Sequence, residues 1–299
     1  MKLLHALFII AITLLFLKII YCSSGFIDDR VHINTYYSII KSLNVVTYPD
    51  KLLTTTKTVH VEVPASDVIF FVCHDYEELP MYAQKSTYLT KEYCNIHGYS
   101  FLDIKYPKGS MSPYWMRVDA LIKLGKLYPP DTIFIYMDLD ACVNSTIMNR
   151  SIHDIISSLD ADHLYDIYIS KDISPLFYVN TGVVIIRNTE WSLQFVREWW
   201  SKYNKDNWAY DNNQWTCKTN NKKCGWAGDE YEQGQFSNLY QSNWNESKYH
   251  IGVLKIKLMA NNYIRHKDTI IYHLMGYSNA SRAAFFDELN DAYQSMTAI

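Results

Sequence analysis

From residue 66 onward, short and nearly continuous apolar runs alternate with longer mixed stretches. "DVIFFVCHD" is such a run, bounded by polar residues, the pattern of a strand buried on both faces of a parallel sheet. "EELPMYAQKSTYLTKEYCNIHGYSF" supplies a helix closed by Gly98, and "FLDIKY" the strand after it, so the three make a βαβ unit. "SPYWMRVDALIKLGKLYPPD" predicts a second helix, with Ser112 at its cap, Pro113 in its first turn, and Gly125 and the Pro129-Pro130 pair as its stop. "TIFIYMDLD" predicts the next strand. The alternation predicts an α/β domain, doubly wound, with a mostly parallel central sheet flanked by helices. Such sheets bind ligands in the crevice beyond the carboxyl ends of their strands.

The first 65 residues have a different pattern. Leu3 to Ile20, "LLHALFIIAITLLFLKII", is almost uninterrupted apolar sequence close to the length a membrane-spanning helix needs. It reads as a signal-anchor, or as a signal peptide cleaved near the small residues Cys22, Ser23, Ser24 and Gly25. Residues 21–65 are polar and β-branched without periodicity, the composition of a stem. The expected organisation is therefore a membrane segment over 1–20, a stem over 21–65 and a folded domain over 66–299, delivered to the secretory pathway.

Cysteine usage agrees with that route. Cys217 and Cys224 bracket the polar loop "CKTNNKKC" and are expected to form a disulfide. Cys73 and Cys94 would make a second bridge, unless Cys73 is simply a small buried side chain of its strand. Glycosylation acceptor triplets begin at Asn144, Asn149, Asn245 and Asn279. The 299 residues carry a net charge of -3, with Lys and Arg scattered, which leaves no basic field for nucleic acid. Aromatic residues make up 15%, which suits a protein that grips sugar rings and equally suits a Tyr-rich core.

Asp138 and Asp140 stand at the end of the third predicted strand, where residues two apart point the same way, about 6 to 7 Å between Cα atoms. Two carboxylates presented to one small region need a cation, and hard oxygen ligands favour Mg²⁺ or Mn²⁺. No Gly-x-Gly-x-x-Gly follows the first strand and no Walker lysine motif occurs, so phosphates must be held in another way.

Four segments, in order, resemble glycosyltransferase family 34: "YCNIHGYSF", "PYWMRVDALIKLGKLYPPDTIFIYMDLDA", "FYVNTGVVIIRNTEWSLQFVREWW" and "IYHLMGYSNASR", which together span Tyr93 to Arg282. The resemblance implies a GT-A fold and a type II Golgi membrane protein with its catalytic domain in the lumen. It also implies Mn²⁺-dependent transfer, with Mg²⁺ as the alternative ion, from a nucleotide sugar to a glycan or glycoprotein acceptor with retention of the α configuration. A homodimer or a complex with other glycosyltransferases fits the same picture.

Residue by residue, the resemblance makes Asp138 and Asp140 metal ligands, with Leu139 between them beside the donor ribose. His273 and Gly276 of "HLMG" match the family's His-x-x-Gly, whose histidine completes the metal sphere. Asn180 and Gly182 of "VNTG" are expected in a turn under the transferred sugar. Arg117 would offset diphosphate charge, and Asp119 would reach the donor sugar or sit on a solvated helix face. His74, ending the first strand, would line the nucleoside pocket.

Two places depart from the family pattern. In "YDNNQW" Gln214 is kept while Asn212 and Asn213 stand where acids are common, so either Asp211 takes the carboxylate role or the leaving phosphate serves as the base. Ser278 stands where some relatives carry a basic residue, and Arg282 would substitute for it at the diphosphate. Galactose or xylose from a UDP-sugar is the first reading of the donor, with GDP-mannose the alternative. A non-catalytic carbohydrate-binding subunit that kept the fold is the other class of reading, and the Asn212-Asn213 departure is its support.

Overall fold

The computed structural model describes residues 66–159, 164–173, 178–220, 222–259 and 268–297, together with the backbone of Val45 and Val46. The apolar segment 1–20 and the stem, those two residues apart, lie outside the described residues. Among the described residues no helix is long and apolar enough to cross a membrane.

The elements run β1 (Val45–Val46), β2 (Val68–His74), α1 (Met81–His97), β3 (Ser100–Lys105), α2 (Pro113–Leu127), β4 (Ile133–Met137), β5 (Ala141–Val143) and α3 (Ile152–Leu159). Then follow β6 (Ile167–Lys171), β7 (Val179–Arg187), α4 (Glu190–Ser201), β8 (Trp208–Asp211), β9 (Gln214–Thr219) and β10 (Lys222–Lys223). The described chain closes with α5 (Glu232–Ser242), α6 (Trp244–His250), β11 (Ile251–Leu254), β12 (Ile271–His273) and α7 (Asn279–Thr297).

The expected α/β architecture is present. β2, buried along its whole length, lies between β3 and β4 and is parallel to both. The seven-stranded sheet runs β1-β3-β2-β4-β7-β6-β11. Within it β2, β3, β4, β6 and β11 point one way, while β7, between β4 and β6, runs against both neighbours and β1 against β3. Alternation along β2 sends Phe70 and Val72 into a core shared with Leu89 and Tyr93 of α1 and Phe286 and Leu289 of α7. α2 and α4 pack against each other, and α2 also contacts β2.

Helix boundaries show where local signals were overridden. Gly98, at φ 68°, takes the left-handed conformation that closes α1, as its position predicts. Gly125 does not stop α2, which continues to Leu127. A Cβ on Gly125 would lie 2.2 Å from Leu193 Cδ2, so this glycine lets α4 approach closely. Ser112 holds the cap position of α2, but its hydroxyl is buried without a hydrogen-bond partner and caps nothing.

The Cys217–Cys224 disulfide is present. Cys73, Cys94 and Cys142 are free and buried, so Cys73 is the small core side chain rather than half of a second bridge. Asn144 is buried, with its amide donating to the Thr269 carbonyl at 2.7 Å, which removes it as a glycosylation acceptor. Asn149, Asn245 and Asn279 are exposed.

Candidate functional site

β4 ends at Met137, so the two aspartates lie just beyond the strand rather than within it. Ala141 N–H donates to the Asp138 carbonyl at 2.9 Å, and this turn, not strand alternation, brings both carboxylates to one place. After the turn, β5 pairs antiparallel with β12, setting Ala141 opposite His273. Leu274 N–H then donates to the Asp140 carbonyl at 2.9 Å. That short ladder carries a histidine 133 positions along the chain from Asp140 to the side of the aspartate pair.

His273 Nε2 lies 3.2 Å from Asp140 Oδ1 and 3.5 Å from Asp138 Oδ2. The other oxygen of each carboxylate is held by an arginine: Arg117 Nη2 is 2.8 Å from Asp138 Oδ1, and Arg282 Nη2 is 2.6 Å from Asp140 Oδ2. Tyr136 also donates to Asp138 Oδ1, at 2.6 Å. One oxygen of each aspartate is therefore left facing the imidazole.

The ligand atoms of Asp138, Asp140 and His273 lie within 4.8 Å of one another. Two carboxylates and an imidazole nitrogen form a donor set suited to a divalent ion such as Mn²⁺. Gly182 gives a second test of fit, because a Cβ there would lie 2.0 Å from His273 Cε1 and 2.7 Å from Asp138 Oδ2. The backbone has been cleared for this cluster. Burial opposes charge on His273, but Asp140 and Asp138 outweigh it and push its pKa up to about 9. Burial would likewise raise the pKa of Asp138, but Arg117 and His273 hold it below the usual carboxylate range.

Arg117 is buried beneath the cleft. Its Nη1 donates to the Thr181 carbonyl at 2.7 Å and lies 3.5 Å from Glu232 Oε1, and its guanidinium stands 4.5 Å from the centre of the Tyr136 ring. Burial opposes its charge, but the neighbouring acidic groups, Asp138 foremost, outweigh that and raise its pKa. Burial raises the pKa of Glu232, with Arg117 opposing.

A cleft of about 740 Å³ opens over this cluster, lined by Asp138, Leu139, Asp140, Arg117, Tyr114 and Tyr136 on one side. His74, Asp75, Tyr76 and Tyr82 line another part of it, and Tyr210, Asn213, Gln214 and Trp215 of the β8–β9 hairpin close a further wall. His74 is itself committed, with Nε2 2.7 Å from Asp103 Oδ1 and Nδ1 accepting from Tyr76 N–H at 3.2 Å.

Asn180 and Gly182 lie within β7, not in a turn. The register between β6 and β7 slips at Ile169/Ser170, which lifts Thr181 to Val183 away from β6, and Gly182 carbonyl accepts from Asp138 N–H at 2.7 Å. The bulge supplies the close backbone approach expected of a turn. The Asn180 amide donates to Asp172 Oδ2 at 2.9 Å, and its oxygen accepts from Gly182 N–H at 3.0 Å.

Eight expected residues stand outside the cleft lining: Asn180, Gly182, His273 and Arg282, which lie behind the aspartates, and Asp119, Ser278, Gly276 and Asp211. Asp119 accepts from Tyr106 at 2.7 Å and pairs with Lys123 at 2.7 Å. Ser278 accepts from Ser281 N–H at 3.1 Å at the start of α7. Gly276, at φ 74°, shapes the turn after β12. Asp211 is exposed and pairs with Gln214 across the hairpin end. Between them Asn212 and Asn213 have φ of 48° and 61°, the backbone of a two-residue type I′ turn, in which asparagine is favoured. The residues that replace expected acids therefore have a conformational reason to be there.

Two residues of α5 reach the cluster without having been singled out in the sequence. Glu232 Oε1 accepts from Thr181 Oγ1 at 2.9 Å, and Gln233 Oε1 accepts from Thr181 N–H at 3.3 Å and from the Asn180 amide at 3.4 Å. Tyr231, Phe236 and Tyr240 of the same segment are buried and pack in the core. Tyr136, two positions before Asp138, joins the cluster through its hydroxyl bond to Asp138.

No protein-family model matches the chain, and no functionally curated protein sequence matches it. Among solved structures, a glycosyltransferase involved in the glycosylation of the major capsid of PBCV-1 superposes with a TM-score of 0.54 and 20% identity, over 74% of this chain and 98% of that one. The galactosyltransferase LgtC, in complex with donor and acceptor sugar analogues, gives 0.38 and 14% over 75% of this chain and 95% of its own. The glycosyltransferase GlyE of Streptococcus pneumoniae TIGR4 gives 0.41 and 12% over 78% and 64%. The chain thus shares its fold with a solved glycosyltransferase over most of the described domain.

Proposed function

We propose that this chain is a retaining, metal-dependent glycosyltransferase that moves galactose or xylose from a UDP-sugar to a glycan or glycoprotein acceptor, forming an α-glycosidic bond. The observation that carries the reading is the gathering of Asp138, Asp140 and His273 over a glycine that leaves them room, with the two aspartates lining a large cleft and the buried histidine behind them. A fold shared with a glycosyltransferase supports the class of reaction, and the resemblance to family 34 supports the retaining course and the donor.

Asp138, Asp140 and His273 would hold the ion, Mn²⁺ in the first instance and Mg²⁺ as the alternative. Bound there, it supplies positive charge to a diphosphate leaving group. The chain's own contribution is positioning. Arg117 and Tyr136 fix one face of Asp138, Arg282 fixes Asp140, and Gly182 leaves room for His273 and the free oxygen of Asp138. Asn180, its amide given to Asp172 and Gln233 and its oxygen to Gly182 N–H, would hold the β7 bulge in place rather than touch the sugar itself. Gln214 would contact substrate from the hairpin wall. Because Asn212 and Asn213 are explained by their turn, the non-catalytic reading loses its support.

The Cys217–Cys224 disulfide and the exposed acceptor asparagines Asn149, Asn245 and Asn279 support a setting in the secretory pathway, and the 1–20 segment a type II Golgi anchor. The testing experiment is a nucleotide-release screen of the full chain with UDP-galactose, UDP-xylose and GDP-mannose, each with Mn²⁺ and Mg²⁺. Release from a UDP-sugar is the expected result; release from GDP-mannose alone moves the assignment to the mannosyl donor. Release from none of the three contradicts the reading.

A further inference from the structure

Trp226 is 61% exposed, yet its position is fixed on several sides. Its ring meets Tyr114 edge-on at 5.3 Å between centroids and Tyr231 at 5.2 Å. Those two rings pack on each other at 4.9 Å, and both pack on Trp208. Below the indole, Gly228 N–H donates to the Gly225 carbonyl at 3.2 Å, and Ala227 sits at φ 52°. The turn starts from the Cys217–Cys224 disulfide. At its other end Gly234 of α5 packs so closely that a Cβ there would lie 2.1 Å from the Gly228 carbonyl oxygen.

A large apolar ring gains free energy by folding out of water. Here a non-glycine residue in the left-handed region helps to hold the turn that keeps the ring out. The location matters as much as the exposure. Tyr114, the ring against which Trp226 stands, also lines the cleft that holds Asp138 and Asp140. The turn abuts the helix that carries Gln233, which reaches Asn180.

We propose that Trp226, backed by Tyr114, is a stacking platform for one ring of a neutral oligosaccharide acceptor. This deepens the transfer reading and rests on it. A pyranose ring offers a C–H face to an aromatic plane and its hydroxyls to water, and a ring already held in place loses little entropy on binding. Trp208 and Tyr231 beside it are each only 8% exposed, so the apolar surface on offer is essentially one indole. That is too small for a stable protein interface and matches a single sugar ring. Along the chain on either side of the indole, exposed Lys218, Lys222 and Lys223 stand against Asp229 and Glu230, so the segment carries charges of both signs and no strong field that would select an anionic acceptor.

The test is binding of the full-length chain to an array of neutral oligosaccharides ending in galactose, glucose, mannose or xylose, with sialylated and sulfated glycans alongside. Wild type is expected to bind neutral glycans, Trp226→Ala to lose about tenfold or more in affinity, and Trp226→Phe to recover most of it. Trp244→Ala, which removes a 47% exposed indole from α6, is expected to bind as wild type does. Silence of the array with wild type, binding to anionic glycans alone, or unchanged affinity in Trp226→Ala overturns the platform. Trp226-dependent binding without any donor turnover removes the transfer reading and leaves the platform. Donor turnover with Trp226-independent binding does the reverse.

Discussion

Gly182 lies directly beneath the His273 ring, so that a single added carbon would stand 2.0 Å from His273 Cε1. The relation joins an interior strand to a histidine carried in by a separate ladder, and no small shift of a flexible side-chain end relieves it. Gly182→Ala is expected to displace His273 and weaken Mn²⁺ binding by about 10–100-fold, the range seen when ligand positioning is disturbed. Calorimetric titration with Mn²⁺ measures it; an unchanged affinity would show that His273 is not held by this clearance.

Arg117 is a buried cation placed among Asp138, Glu232, the Thr181 carbonyl and the face of Tyr136. Removing one partner of a buried ion pair leaves the other uncompensated, so Arg117→Met is expected to destabilise the fold by about 3–5 kcal/mol. Arg117→Lys should recover less than half of that, since an ammonium lacks the planar fork serving three acceptors. Urea unfolding of the two variants gives the comparison.

The Asn212-Asn213 turn predicts a substitution pattern that a substrate-contacting carboxylate site would not show. Glycine at both positions keeps the positive φ and should leave stability and nucleotide release within about twofold of wild type. Valine at either position should cost about 1–2 kcal/mol, because a β-branched residue resists that backbone. Asp211→Asn, exposed and outside the cleft lining, should also stay within about threefold in activity. Thermal unfolding and nucleotide release, run side by side, separate backbone from chemistry.

Asp166 ties three elements together, accepting from Thr189 Oγ1 at 2.8 Å, Arg187 Nη2 at 3.0 Å and His250 Nδ1 at 2.6 Å. Burial pushes its pKa up, but the bonds from His250, Thr189 and Arg187 outweigh that and lower it. A depressed folded-state pKa means stability that is present in full above the unfolded value near ~3.9 and lost as pH falls through the folded value. Asp166→Asn should therefore cost about 1.5–3 kcal/mol at pH 7, the scale of hydrogen bonds to a charged group. The gap from wild type should narrow as the pH is taken below about 4. A gap independent of pH would contradict the linkage.

Much of the frame was readable from apolar runs, because β2, β3, β4 and the two helices between them are local patterns with clear stops such as Gly98. The reversal of β7 was not readable, since a buried antiparallel strand has the same continuous apolar pattern as a parallel one. Gly125 looked like a stop because sequence alone does not show that Leu193 packs against it. In the site, the Asp-x-Asp spacing and His273 stood out by residue type, but their geometry comes from a turn and from the β5–β12 ladder, which pairs distant segments. Glu232 and Gln233 were hidden because nothing in the first turn of a helix marks two polar residues as facing a bulge more than fifty positions earlier. Asn212 and Asn213 invited a chemical explanation where a conformational one suffices.

If Asp138, Asp140 and His273 hold a metal needed for sugar transfer, transfer must depend both on the ion and on these side chains. The most direct measurement is nucleotide release from the UDP-sugar donor by the full chain, with Mn²⁺ and after chelation, in wild type and in Asp138→Ala/Asp140→Ala. Release is expected to need the ion and to fall by about 10²–10³ or more in the double variant. Release that survives both chelation and the loss of the two aspartates would contradict that dependence.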